Sequence, residues 1–382
     1  MSFPPFSDEH AQFRDSIKAY AEREMAPHRV EWDKAGGFPR SVFNDLADLG
    51  ALGIRFGEEV GGLGLDWWYT VAFAEGLSYC RNAGVAMSIL VDTDMATPII
   101  WEIGTEEQKQ EFLAPVVAGD KVAALGVSEP GAGSDVANIQ TVARSDGDDY
   151  VITGAKTYIT NGSFADFITL AVRTGEQGHG GISLVLFPTD TPGFTVGRKL
   201  DKLGTRGVDS CELHFDNCRI PKRNLLGHEN AGFLYIMQNF QGERLIAAIT
   251  GNMAMQIGIE DALAHGNKRE AFGRKLNKFQ VWRHTFAEHL TSLEASRALT
   301  WQAVQRIESG ADPTKIVSMA KLFSTDLAQK VLYDCLQFHG GYGYIEEYDI
   351  ARSVRDTRLL PIGGGTSEIM KEIIWKWNEL GG

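Results

Sequence analysis

The hydrophobic period of this chain changes twice, and that constrains its fold more than any other feature. Residues 7 to about 120 carry helical spacing broken by Gly and Pro turns. Ser7-Asp8-Glu9-His10 offers an N-cap and a negative first turn for a helix running to Glu24. Gly61-Gly62-Leu63-Gly64 reads as a loop, and Thr105 as the cap of a further helix. From about 121 to 228 the apolar runs become short, β-branched or aromatic, and bounded by Gly, Asp and Pro: Tyr150-Val151-Ile152-Thr153, Phe167 to Val172, Ile182 to Phe187. From about 229 helical spacing returns. Trp282, Phe286, Leu290 and Leu293 recur on one helical face, and Ile316, Ala320, Phe323 and Leu327 on another. Asp312-Pro313 reads as an N-cap followed by Pro at the first helical position. The order helices, strands, helices predicts an α+β, mainly α chain with domains at 1–120, 121–228 and 229–382. With no repeat, low-complexity run or flexible linker, the three zones are expected to pack as one unit.

Composition excludes several classes. A chain of 382 residues with 43% hydrophobic residues is long enough for a large core and is neither disordered nor fibrous. Its net charge of −13 argues against a nucleic-acid partner. No stretch is read as approaching the roughly 20 apolar residues of a membrane span. The start Met1-Ser2-Phe3-Pro4-Pro5 lacks the basic flank and apolar run of a signal peptide. Cys80, Cys211, Cys218 and Cys335 are scattered, without disulfide or zinc spacing, which fits a bacterial cytoplasm. His214, His228 and His339 have no metal spacing and read as structural, Lys321 and Lys330 as solvated, and Trp67 and Trp68 as core or subunit contacts. No metal site is expected.

Two Gly-rich runs carry the chemistry. Ser128-Glu129-Pro130-Gly131-Ala132-Gly133-Ser134-Asp135 concentrates hydroxyls and bare backbone, so the main chain can approach a bulky ligand. It matches neither the dinucleotide nor the P-loop fingerprint. Alone it would be a turn between strands. About thirty residues on comes Gly154-Ala155-Lys156-Thr157-Tyr158-Ile159-Thr160-Asn161-Gly162. Paired at this spacing, the runs resemble the flavin-binding signature of the acyl-CoA dehydrogenases. The resemblance implies FAD, with Leu125, Val127, Ser128, Gly133, Ser134, Tyr158, Ile159 and Thr160 around the flavin, and Ser134 also near the CoA portion of the substrate. It further implies a middle domain that is β-barrel-like and a C-terminal four-helix bundle.

The resemblance runs nearly end to end. Arg269 to Leu276 followed by Phe279-Gln280, Gln337 to Gly343, Val354 to Asp356, and Thr366 to Glu368 match further family segments in order. By resemblance Arg269, Phe272, Phe279, Gln280, Gln337, Gly340 and Gly341 address the FAD of a neighbouring subunit, and Thr366 and Glu368 complete the cofactor site. The family is thereby expected to assemble as a homo-oligomer, at least a dimer and as a rule a tetramer.

The reaction implied is α,β-dehydrogenation of an acyl-CoA thioester. It requires a carboxylate base in a dry pocket and donors for the developing enolate oxygen. Many relatives place the base near the C-terminus, two residues before Thr. Here that position is Gly364, within Ile362-Gly363-Gly364-Gly365-Thr366. Glu243, in Gln241-Gly242-Glu243-Arg244, stands where the isovaleryl-CoA and long-chain branches carry their base, and those branches also lack the C-terminal one. Glu243 is therefore assigned as the base and the Gly364 N–H as a thioester donor, with Arg244, Gly363 and Gly365 toward the substrate. The alternative for Glu243-Arg244 is a solvated pair at a helix start. The emptied volume at 363–365 suggests a long-chain or methyl-branched, terpenoid-like acyl group in β-oxidation, with electron-transfer flavoprotein as acceptor. Two other classes share the fold: a flavin oxidase or monooxygenase, and a DNA-associated flavoprotein. Glu243 weighs against the first and the acidic balance against the second.

Overall fold

The computed structural model describes residues 6–379; the Met1–Pro5 start discussed above and the last three residues lie outside the described residues. The N-terminal caps form as the sequence implies. The Ser7 hydroxyl accepts from the His10 N–H while the His10 ring returns to the Ser7 N–H, opening the Asp8–Tyr20 helix. Thr105 and Gln108 make the same reciprocal pair. Residues 83–103 correct one expectation: by length and composition this stretch is apolar enough to cross a membrane. It is a core element instead. Of its apolar window 83% is buried in protein, and Asp92 and Asp94 are buried within it.

Eight strands form one mixed sheet. They are β1 (Ala123–Gly126), β2 (Val142–Asp146), β3 (Asp149–Ile159), β4 (Phe167–Arg173), β5 (Ile182–Pro188), β6 (Phe194–Lys199), β7 (Cys211–Pro221) and β8 (Leu225–Leu226). Their order is β6-β7-β3-β2-β4-β5-β8, with β1 also on β4. The expected barrel-like closure does not occur. One edge of β4 is shared: β1 runs parallel to its residues 167–170, and β2 reaches only Arg173. The sheet forks there, and β6 and the two-residue β8 remain its ends. Every residue of β4 is buried because both faces are covered. Phe167 and Ala171 meet Phe112 and Val116 of the N-terminal helices, while Ile168, Leu170 and Val172 meet Phe215 and Ile220 of β7 and its neighbours.

The C-terminal region has three long helices, Gly232–Lys268, Gln280–Glu308 and Thr314–His339; Asp349–Thr357 and Ser367–Glu379 pack on the last. The third helix begins one residue later than Asp312-Pro313 implied. Pro313 holds the cap position, and the Asp312 carboxylate still accepts from the Thr314 N–H at 3.0 Å. The apolar stripes are only partly covered. Phe286 and Leu293 are buried, but Leu290 and Phe323 face outward. N- and C-terminal helices share one core, in which Ile17, Phe73, Leu77 and Ile89 meet Leu245, Ile249 and Met253.

Candidate active site

Glu243 does not start a helix. It lies in the second quarter of the 37-residue Gly232–Lys268 helix, followed by a run of buried residues. Its neighbour Arg244 is 3% exposed, so the alternative of a solvated pair fails. Glu243 itself is part-buried, and its Oε2 is wholly shielded yet has no hydrogen-bond partner. Burial pushes the carboxyl above the usual carboxylate range, while Arg244 and Lys321 pull it back. A shielded, unpartnered carboxylate is costly in a folded protein unless something else uses it.

The glycine turn 363–365 lies against this carboxylate. A Cβ on Gly364 would sit 3.2 Å from Glu243 Oε1, and Gly364 is at φ +65°, where side chains are strained. Arg244 Nε points to the Gly364 carbonyl at 3.4 Å. The two positions at which a chain of this pattern can carry its base thus face each other. Thr366 and Glu368 open the last helix, where the Thr366 hydroxyl accepts from the Ile369 N–H. Lys321 contradicts its reading as a solvated side chain. It is fully buried, and its ammonium donates to the Gly363 carbonyl at 2.8 Å and to the Gly365 carbonyl. Burial lowers it to about 8, against the attraction of Glu243. Lys330 is exposed.

The two Gly-rich runs lie side by side. Thr157 N–H donates to the Ser128 carbonyl at 3.0 Å. Lys156, fully buried, donates to the Val127 carbonyl and to Glu129, whose carboxylate also accepts from the Gln140 and Thr141 N–H groups. Burial opposes the Glu129 charge, but Lys156 and these amides hold its carboxyl below the usual range. Leu125 and Ser128 are part-buried, Val127 and Ile159 buried, Thr160 part-buried, and Gly133 and Ser134 exposed. A Cβ at Gly131 or Gly133 would meet nothing within 4 Å. Tyr158 is 70% exposed at φ +61°, a strained conformation for a tyrosine. Asn161, also at positive φ, is buried and bonds Ser88 and the Ala123 carbonyl, anchoring the run to β1. Phe240, one turn before Arg244, packs against the core that holds Val127 and Ala132, so these loops and Glu243 border one region.

The remaining predicted residues gather elsewhere. Arg269 caps the far end of the helix that carries Glu243, on the order of 40 Å away at about 1.5 Å per residue. A hairpin turns there at Phe272 and Gly273, leaving Phe272 96% exposed. Phe279 and Gln280 follow it, and Tyr342 brings Gln337, Gly340 and Gly341 alongside, 5.9 Å from the Arg269 guanidinium. Arg269 forms no ion pair among the described residues. Gly340 ends its helix at φ +59°, and both it and Gly341 face open space. His339 is structural, its ring on the Cys335 carbonyl.

These features fit FAD. Bare backbone and an exposed aromatic suit a flat ring, and an unpaired arginine with an exposed phenylalanine suits a pyrophosphate and adenosine. The Lys156–Glu129 pair and Lys321 were missed by sequence reasoning. The only signal was a lysine within each apolar pattern.

Known proteins are similar to this chain over nearly its whole length. The chain matches the acyl-CoA dehydrogenase N-terminal domain over residues 7–120, the middle domain over 124–218 and the C-terminal domain over 230–378. It is 38% identical to the mitochondrial long-chain specific acyl-CoA dehydrogenase of Sus scrofa, over 97% of this chain and 86% of that protein. It is 36% identical to the short-chain specific enzyme of Bos taurus, over 96% and 89%. The crystal structure of acyl-CoA dehydrogenase from Geobacillus kaustophilus superposes with a TM-score of 0.96 at 40% identity, over 99% of this chain and 100% of that one.

Breaking the Lys156–Glu129 pair leaves a buried carboxylate without its cation. Lys156→Met is expected to cost about 3–5 kcal/mol in urea unfolding and to speed loss of flavin fluorescence quenching on dilution. A loss below about 1 kcal/mol with unchanged flavin retention would show that the pair does not hold the two runs together.

Proposed function

We propose, from the premise that this chain belongs to the acyl-CoA dehydrogenase family, that it oxidises an acyl-CoA thioester to the trans-2-enoyl-CoA with Glu243 as the α-proton base. Membership makes it an FAD-dependent oxidoreductase. The observation that carries the base assignment is the shielded, unpartnered Glu243 carboxylate beside Gly364.

Glu243 takes the α-proton. The Gly364 N–H donates to the thioester oxygen as charge develops there. Burial raises the pKa of the base, and Arg244 and Lys321 oppose that rise. Ser128, Tyr158 and Thr160 would hold the flavin ring with their neighbours in the two runs, and Thr366 and Glu368 would close over it. Bound FAD supplies the acceptor for the hydride that leaves the β-carbon.

The separation of Arg269 from Glu243 along one helix supports a site shared between two subunits, each lending Arg269, Phe272, Phe279, Gln280, Gln337, Gly340 and Gly341 to its neighbour. Exposed Phe272, Leu290 and Phe323 support a homo-oligomer, a tetramer in our reading. Relatives of near-equal identity are named long-chain and short-chain specific. The room beside Gly363 favours a long-chain or methyl-branched acyl group. Electron-transfer flavoprotein is the proposed acceptor. A bacterial cytoplasm is the proposed setting, in keeping with four buried, unbridged cysteines.

Glu243→Gln is expected to keep the fold and FAD while lowering turnover by about 10²–10⁴-fold. In the wild type kcat/KM falls as pH drops through the raised carboxyl pKa, because the protonated base is inactive; that acid limb should vanish in the variant. Near-normal anaerobic flavin bleaching by an acyl-CoA would dismiss Glu243.

Arg269→Glu should weaken FAD retention by setting like charge against pyrophosphate. Mixing it with Glu243→Gln subunits should restore part of the activity, since a mixed interface can pair an intact base with an intact arginine. No gain in mixed oligomers would count against a shared site.

The atoms nearest a Cβ on Gly363 belong to Leu359, at an ordinary contact distance of 3.8 Å. Gly363→Tyr should therefore cut kcat/KM for a branched acyl-CoA much more than for a short linear one. Equal losses would show that the glycine serves the turn alone.

A further inference from the structure

We propose that Lys321 is a positioning residue for proton abstraction: its ammonium clamps the Gly363 and Gly365 carbonyls and so fixes the Gly364 backbone against the Glu243 carboxylate. This rests on the reading of Glu243 as the base.

The turn needs an outside restraint. Gly363, Gly364 and Gly365 have no side chains to pack, and the last two are at φ +65° and +95°. Glycines in such conformations lose the most freedom on ordering. The turn's own backbone supplies Gly363 N–H to the Leu359 carbonyl at 2.9 Å and Ser367 N–H to the Pro361 carbonyl at 3.0 Å. Neither bond involves Gly364 or the carbonyls that flank it. Those flanking carbonyls both go to Lys321, and the Gly364 carbonyl has only the 3.4 Å approach of Arg244. Lys321 thus grips the turn on both sides of the one residue that faces Glu243. Loss of that grip leaves the donor at Gly364 free to wander by more than a misplacement of about 1 Å, which is enough to cost on the order of 10²-fold in rate.

The charge on Lys321 has its own consequence. Two carbonyls could be served by a neutral amide, whereas a wholly buried ammonium is expensive to keep. Lys321 makes no hydrogen bond to a carboxylate. The charged groups around it are Glu243 and Arg244 from the Gly232–Lys268 helix, Asp326 from its own helix and Glu368 from the last helix. Asp326 accepts from the Ser367 hydroxyl at 2.7 Å, and Glu368 is exposed. Glu243 is the shielded member of this set, with an oxygen that nothing bonds. The two cations facing it are Arg244 and Lys321. Removing Lys321 leaves one, and the carboxyl should then hold its proton more tightly.

The test uses FAD-loaded Lys321→Met, Lys321→Gln and Lys321→Arg enzymes. The first readout is the acid limb of kcat/KM. The second is independent of activity: the Glu243 carboxyl C=O stretch, titrated by infrared difference against Glu243→Gln. In Lys321→Met and Lys321→Gln both midpoints should rise by on the order of one pH unit, with kcat/KM down on the order of 10²-fold in Lys321→Met, which has no donor for the two carbonyls. Lys321→Arg should return the midpoints to the wild-type values while kcat stays reduced, because a planar guanidinium cannot seat between the same two carbonyls. If Lys321→Met does not accumulate, Lys321→Gln carries the same comparison. Unmoved midpoints in Lys321→Gln, whatever happens to thermal stability, would reduce Lys321 to a structural strut. An active Glu243→Gln enzyme would sink the base reading instead. An inactive Glu243→Gln enzyme with unmoved midpoints in Lys321→Gln would sink the Lys321 assignment alone.

Discussion

Nearly everything in this molecule depends on the middle of one helix, residues 244–259, which has no exposed residue on any face. Gly232–Lys268 contributes Ile236 to the core beneath the sheet, Leu245, Ile249 and Met253 to the core shared with the N-terminal helices, and Met255, Ile259 and Ala262 to the core of the C-terminal bundle. Apolar residues spread over several faces of that stretch cannot face water, so it must be wrapped. Three layers meet on it as a result. Small residues allow the close approach. A Cβ on Gly258 would lie 2.3 Å from Leu332, and one on Gly251 2.6 Å from the Ser324 hydroxyl. The same burial that fixes the fold puts Glu243 in a dry place.

Buried charge is handled in two ways, and the contrast separates scaffold from site. Glu129 and Lys156 are fully satisfied: the carboxylate takes an ammonium and two amides, and the ammonium a second acceptor. Such a network gives position and no reactivity. Glu243 has two cations in electrostatic reach and an oxygen with no hydrogen bond at all. That is a group held ready for a proton. Lys321 stands between these cases, its hydrogen bonds committed to the backbone and its charge felt by the base.

The far end of the long helix has the opposite character. Phe272 is 96% exposed there, and Arg269, which lies over the Tyr342 ring, forms no ion pair among the described residues, next to glycines facing open space. A globular chain gains nothing from an exposed phenylalanine held at positive φ. It is this surface that the proposed shared site would use.

The sequence by itself determined the order of the layers, the caps at Ser7 and Thr105 and the two Gly-rich runs, and it singled out Glu243 as the proposed base because position 364 is glycine. These are local matters of period, cap chemistry and motif order, written in neighbouring residues. Tertiary structure alone decided the rest. The barrel-like closure failed because β1 and β2 divide one edge of β4, a competition between segments that no run of residues records. Residues 83–103 became core and not membrane because the rest of the chain covers them. Lys321 followed Ala320 in a helical stripe and so looked like the solvated border of an apolar face. Its partners are carbonyls more than forty residues away, and helical period gives the direction of a side chain but not what waits there. Lys156 likewise sits in a strand pattern where alternation says inside or outside, and only the approach of Glu129 makes a buried lysine tolerable. Burial of charge depends on partners distant in sequence, and those partners exist only once the chain has folded.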